Sequence, residues 1–199
     1  SVIAKTALSE SLTGFEFASG IPGTLGGAAV MNAGAYGGEM KDVLTEVTVL
    51  TREGEIRTVP AEKLEMGYRT SLAAKNGWII LEAVLKFQKG DAEAIRGRME
   101  ELKMQRVTKQ PLDLPSAGST FKRPEGYFAG KLIMDAGLRG FTVGGAQISE
   151  KHCGFVVNKG GATAEDVRNL ICAVQKKVQE DAGVKLEPEV KFLGEFHSF

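Results

Sequence analysis

The sequence predicts an α+β protein in two halves, residues 1–105 and 106–199. Three observations lead there. Strand-like and helix-like hydrophobic periods alternate along both halves. A charged helical stretch near the middle, stopped by Pro111, offers a boundary. Residues 19–38 hold seven glycines in twenty positions, a density that costs backbone entropy and marks a region where the chain must turn or approach something closely.

The elements follow in order. Val2, Ile3, Leu8 and Leu12 among alanines predict a short helix leading straight into the glycine stretch. There Pro22-Gly23 sets a tight turn, Gly26-Gly27 runs into the apolar Ala28 to Met31, and Asn32 and Gly34 break the apolar run again. Tyr36 adds a flat ring with a polar tip. Main-chain N–H groups in such a loop can cradle a phosphate or the polar edge of a planar ring; a purely structural glycine connection is the alternative. Val43, Val47 and Val49 alternate in a strand over 43–50, residues 52–55 turn, and 56–59 return, a hairpin. Residues 61–66 read as a helical turn and 67–71 as a polar connection. In 78–87, Ile79, Leu81, Ala83, Leu85 and Phe87 fall on one face at period two, which predicts a strand. Asp91 caps a helix with Ile95, Met99 and Leu102 at helical spacing.

In the second half, prolines at 111 and 115 fix an extended approach, and Gly118 lets the chain bend to present the Ser119 hydroxyl. Residues 128–136 predict a short helix closed by Gly137, and 154–158 a buried strand. Thr163 with Asp166 three residues on is a capping box opening a long helix whose stripe is Val167, Leu170, Ile171, Val174 and Val178. Gly183 ends it, and 186–193 reads as a final strand.

Composition excludes several classes. The chain has 25 basic and 25 acidic residues, so no electrostatic footprint of nucleic-acid or membrane-surface binding is present. No apolar run approaches the roughly 20 residues of a membrane span and the first residues lack a signal-peptide layout, so a cytoplasmic location is expected. Cys153 and Cys172 are isolated and the imidazoles are only His152 and His197, which predicts no metal site and no disulfide, with both thiols reduced and partly buried. Ser119 lacks a G-x-S-x-G elbow, and no histidine sits at triad spacing. Taken as residues alone, Arg69, Ser119 and Glu189 are ordinary polar positions.

The letters carry more. GIPGTLGGAAVMNAGAYG closely resembles the flavin-binding loop of the MurB family, the UDP-N-acetylenolpyruvoylglucosamine reductases of bacterial cell-wall synthesis. GYRTS at 67–71 resembles that family's YR-x-S segment, SAGSTFKRP at 116–124 its AGS-x-FKNP segment, and LEPEV at 186–190 its carboxy-terminal LEPEV. AGKLIMDAGLRG and GGAQISEKHCGFVVN are similar too, so the resemblance covers nearly the whole chain. It is class II-like, because no inserted loop carries the extra substrate tyrosine of the other subclass.

This resemblance implies the second half of a PCMH-type FAD-binding domain followed by a MurB carboxy-terminal α+β substrate domain. It implies FAD reduced by NADPH, with UDP-N-acetylglucosamine-enolpyruvate as the substrate. By position, Gly20, Ile21, Pro22, Gly23, Thr24, Gly26, Gly27, Asn32, Gly34 and Tyr36 match the flavin loop. Arg69, Ser119 and Glu189 match the catalytic set, expected to converge beside the flavin ring, with Ser119 as proton donor and the other two as stabilisers of an enolate-like anion. Tyr68, Lys109, Arg139 and His152 fall where contacts to the UDP-sugar are expected, Lys and Arg suiting its diphosphate.

Two departures stand out. Arg123 occupies the place of the usual asparagine in FKNP. Nothing in the chain resembles the glycine-serine-asparagine loop that in the family precedes the first helix and grips the FAD pyrophosphate. The expectation is therefore a chain lacking the amino-terminal part of its FAD-binding domain, binding FAD weakly or not at all and self-associating through the face of the 78–87 strand and the glycine loop. A non-catalytic UDP-sugar-binding module or remnant is the alternative. Flavin absorbance and NADPH consumption separate the two.

Overall fold

Residues 1–196 are described by a computed structural model, in two units, Ser1–Gln105 and Arg106–Phe199. His197 lies outside the described residues. The mixture of helices and antiparallel sheets is the α+β class expected.

In the first unit, α1 (Val2–Ser9) buries Ala4 and Ala7 and leads into β1 (Leu12–Thr13) and a 3₁₀ turn, Glu16–Ala18. The Gly26-Gly27 pair is helical: α2 (Leu25–Val30) starts at Thr24, whose side chain accepts the Gly27 N–H at 3.1 Å. A Cβ at Gly26 would lie 3.4 Å from the Ile80 carbonyl oxygen, ordinary contact distance, so this helix lies directly on the sheet below. β2 (Gly34–Ala35) and β3 (Gly38–Glu39) form a hairpin turned by Tyr36 and Gly37, at φ 52° and 88°. Two consecutive positive φ values are what a tight two-residue hairpin turn requires.

The main sheet of this unit follows. β4 (Leu44–Leu50) and β5 (Ile56–Pro60) are the expected hairpin, Ala61–Leu64 is a 3₁₀ turn, and α3 (Leu72–Asn76) ends at Gly77 before β6 (Ile79–Leu85). The strands run antiparallel in the order β5-β4-β6. Val47, Val49 and Leu64 are fully buried against Ala29 of α2. The expected single apolar face of β6 is corrected by a register slip: Val49 pairs with Ile80 but Thr48 with Glu82. The extra residue flips the alternation. Ile80, Ala83 and Leu85 therefore pack on the core, while Ile79 and Leu81 are 60% and 51% exposed. β7 (Gln88–Lys89) returns to pair with β1. α4 (Ala92–Lys109) opens where the Asp91 carboxylate accepts the Ala94 N–H at 2.8 Å, and it buries Ile95 and Leu102.

The second unit holds β8 (Ser116–Ser119), α5 (Ala129–Asp135), β9 (Thr142–Val143), β10 (Ala146–Ile148), β11 (Phe155–Asn158) and α6 (Ala164–Ala182). Its strands are antiparallel in the order β8-β11-β10-β9. The capping box at Thr163 and Asp166 forms, and Leu170, Ile171, Val174 and Val178 of α6 join Ile133 and Ile148 in one core. The expected final strand over 186–193 does not form. One bridge, Phe121 to Pro188, is flanked by Lys122 N–H to Glu187 O and Glu189 N–H to Thr120 O, both 2.8 Å. On its other side, the Leu186 carbonyl accepts from the Gln175 side chain on α6 at 2.8 Å. One thiol differs from expectation: Cys153 is buried, as expected, but Cys172, on the outward side of α6, is exposed.

Candidate functional site

The first unit gathers the glycine segment and Arg69. Asn32 is 1% exposed and sits at φ 46°. Its amide donates to Glu39 Oε2 at 2.5 Å and to the Gly67 carbonyl at 3.1 Å, while its oxygen accepts the Lys41 N–H at 2.9 Å. The side chain is thus turned inward, joining the hairpin to residues 67–70. These form a tight turn in which Gly67 and Thr70 exchange both backbone hydrogen bonds, at 3.1 and 3.3 Å. Arg69 lies at its tip with φ 55°, a conformation uncommon for a side chain other than glycine. Its Nη2 donates to the Gly34 carbonyl at 3.4 Å and its guanidinium lies 5.0 Å from the Tyr68 ring centre. Tyr68 is half exposed.

The stretch from Gly20 to Thr24 is largely exposed, with Gly23 at φ 117° and Ile21 half-buried. It edges a shallow groove whose walls include Ile3, Phe15, Phe17, Ile21, Pro22 and Thr24. The groove is mostly apolar, with Ser1 and Thr24 as polar groups on its lining. Gly34 is glycine for room: a Cβ there would meet the Gly38 carbonyl at 2.8 Å.

The second unit gathers Ser119 and Glu189. Ser119 ends β8 opposite Phe155, and the next residue, Thr120, turns inward and is 2% exposed. Alternation along the chain leaves Ser119 exposed. The Thr120 carbonyl accepts the Glu189 N–H, so Glu189 lies across from the residue that follows Ser119. Lys122 and Glu187 form an ion pair just beyond. Arg123, the departure from the family pattern, stacks its guanidinium 4.0 Å from the centre of Phe128.

Arg139 and His152 engage the segment 149–154, which also reaches the end of α4 near Lys109. Ser149 Oγ, 3% exposed, accepts the N–H groups of Lys151 and His152, both at 3.2 Å, and so folds the segment back on itself. Arg139 donates to the Glu150 carbonyl and lies 3.1 Å from Met134 Sδ. Lys151 Nζ donates to the Val107 carbonyl at 2.7 Å, two residues before Lys109 at the end of α4. His152 Nδ1 accepts the Gly154 N–H at 3.1 Å, which leaves Nε2 to carry the proton of the neutral ring. Burial pushes the Cys153 thiol up, against the nearby Arg139 guanidinium.

Thus Arg69 stands with Asn32, Gly34 and Tyr68 in one unit, and Ser119 with Glu189 in the other. Sequence reasoning missed Thr120, Ser149, Lys151 and Ser71, whose buried or carbonyl-seeking groups hold these segments. A serine two and three residues ahead of the N–H groups it accepts is a legible turn signal at Ser149; Thr120 has none. Among the described residues no group of three or more His, Cys, Asp or Glu could hold a metal ion, and no helix is long and apolar enough to cross a membrane.

Comparison with known proteins finds a family model described as UDP-N-acetylenolpyruvoylglucosamine reductase, C-terminal domain, matching residues 110–193, and one described as FAD binding domain matching residues 2–60. A UDP-N-acetylenolpyruvoylglucosamine reductase of Agathobacter rectalis is 61% identical over 98% of this chain and 62% of its own length. One of Clostridioides difficile is 57% identical over 98% of this chain and 64% of its own. The chain thus spans less than two thirds of these relatives. The crystal structure of a UDP-N-acetylenolpyruvylglucosamine reductase (MurB) from Thermus caldophilus matches with a TM-score of 0.82 at 39% identity, covering 94% of this chain and 68% of that one.

Proposed function

The chain belongs to the UDP-N-acetylenolpyruvoylglucosamine reductase family, and from that premise we propose that it supplies the substrate domain and part of the flavin domain of an NADPH-dependent FAD enzyme. The reaction is reduction of UDP-N-acetylglucosamine-enolpyruvate to UDP-N-acetylmuramate, a cytoplasmic step of peptidoglycan synthesis and hence of cell-wall biogenesis, cell shape and division. The observation that carries this reading is the hydrogen bond from the Glu189 N–H to the Thr120 carbonyl, which brings the Glu189 segment against the end of the strand that carries the exposed Ser119.

The glycine segment fits a dinucleotide-type cofactor. A Cβ at Gly23 would meet nothing within 4 Å, so the loop from Gly20 to Thr24 offers open main chain at the rim of an apolar groove. FAD, when bound, supplies the two-electron chemistry that links NADPH to the substrate. Gly26 and Gly27 keep the first turn of α2 bare beside it.

Reduction at the enolpyruvyl β-carbon places negative charge on the α-carbon and its carboxylate. The Arg69 guanidinium opposes that charge, and the Glu189 carboxyl stabilises it by hydrogen bonding. Ser119 Oγ then gives its proton to the α-carbon; a carbanion is basic enough that position, not acidity, is what the donor needs. Lys109 and Arg139 hold the diphosphate as cations, with Tyr68 and His152 as further contacts to the UDP-sugar.

Two measurements test this. The chain supplied with FAD and then freed of unbound flavin reports on the cofactor site by the flavin absorbance it retains, and on the reaction by NADPH consumption when the enolpyruvyl substrate is added. In Ser119→Ala, flavin reduction by NADPH should persist while UDP-N-acetylmuramate formation falls by at least ~10²-fold. Unchanged turnover removes Ser119 from the mechanism.

A further inference from the structure

Three hydrogen bonds tie one short segment to the turn that carries Arg69. Ser71 Oγ donates to the Val30 carbonyl at 2.5 Å, Asn32 Nδ2 to the Gly67 carbonyl at 3.1 Å, and Arg69 Nη2 to the Gly34 carbonyl at 3.4 Å. Alternate residues 30, 32 and 34 thus engage both ends and the tip of the turn. Ser71 is fully buried and also caps α3 by accepting the Ala74 N–H at 3.2 Å. Asn32 is buried with both amide hydrogens and its oxygen engaged by main chain or by Glu39, so nothing of it is presented outward.

A left-handed backbone at Arg69 persists only where its surroundings over-determine it. The Gly67–Thr70 bridge closes the turn, and the Gly34 carbonyl and Tyr68 ring receive the guanidinium at its tip. The Gly67 carbonyl before Arg69 and the Ser71 hydroxyl after it tie the turn to residues 30–34. We propose that Asn32 and Ser71 are positioning residues for Arg69, a two-ended clamp that holds the guanidinium in its working direction before any ligand arrives. Asn32 therefore acts through Arg69 rather than by touching the cofactor. This rests on the reading of Arg69 as the group that opposes charge on the substrate.

The readout is the mobility of the Arg69 Nε–Hε group by ¹⁵N relaxation in the full chain, without flavin or substrate. Arg52, whose Nε donates to the Asn76 carbonyl at 3.1 Å, is the reference held by other means. Arg96, on the open face of α4, is the mobile reference. Arg69 should match Arg52 and exceed Arg96 in order. Asn32→Gly keeps the positive-φ backbone without strain and removes only the side chain. It should lower the Arg69 order parameter below about 0.6, the range of flexible groups, and leave Arg52 unchanged. Ser71→Ala applies the same test from the other end and serves if Asn32→Gly does not fold. An Arg69 already as mobile as Arg96 in the parent, or equally ordered in a folded variant, overturns the clamp. Absence of flavin binding or turnover would count against the proposed reaction and leave this measurement intact.

Discussion

Thr120→Val isolates one hydrogen bond beneath the candidate site. β11 pairs Phe155 with Ser119 and Val157 with Ser116, so the register shifts between them and Val156 loses its ladder partner. Its N–H donates instead to Thr120 Oγ1 at 2.9 Å, and both residues are buried, at 6% and 2% exposed. Valine matches threonine in shape and leaves no cavity, so the change removes only the acceptor. An unsatisfied buried donor costs about 1–3 kcal/mol. A loss near ~2 kcal/mol lowers the melting point of a unit this size by roughly 8–16 °C. Trp78 is the sole tryptophan and lies in the other unit, so far-UV circular dichroism reports the loss while Trp78 fluorescence serves as the internal control. Hydrogen exchange at the Val156 amide should accelerate in Thr120→Val and remain slow in Thr120→Ser, which keeps the hydroxyl. A melting point lowered by less than about 2 °C with unchanged exchange at Val156 would refute the assignment of Thr120 as the partner that the bulge requires.

Gly38→Ala places a Cβ 2.6 Å from the Phe17 ring, so the ring or the hairpin must move. The expected cost is about 1–3 kcal/mol from overpacking, read as a lower denaturant midpoint. An unchanged midpoint would show the groove wall to be soft. Asp166 gives a pH test. Hydrogen bonds from the Thr163 backbone first, then from the Gly145 backbone, hold its carboxyl below the usual carboxylate range. A depressed native pKa contributes stability that is present above the unfolded value, about 3.9, and is lost as pH falls through the native value. Asp166→Asn should therefore flatten the acid limb of stability below about pH 4, measured by urea unfolding across that range. Parallel limbs in parent and variant would remove Asp166 as a source of the pH dependence.

What was legible in the sequence rests on short-range rules. The α6 capping box, the β4–β5 hairpin and the buried stripe of α6 follow from spacing within a few residues, and each forms as read. The residue strings that match a family place Arg69, Ser119 and Glu189 by position in the chain, though none of the three is distinctive as a residue.

What the tertiary structure decided lies wherever a backbone group had to find a partner from far away in the chain. The bulge in β6 reversed an apolar alternation that seemed settled by period alone, because register belongs to a pair of strands and not to one. The last segment meets the sheet at a single bridge, while its Leu186 carbonyl is taken by a glutamine on α6. Asn32, in the glycine segment, donates to the Gly67 carbonyl, 35 residues away. Sequence alone determined the long helices, the β4–β5 hairpin and which letters to watch; long-range hydrogen bonding, invisible to any local pattern, determined whether the last strand forms and which of those letters hold the others in place.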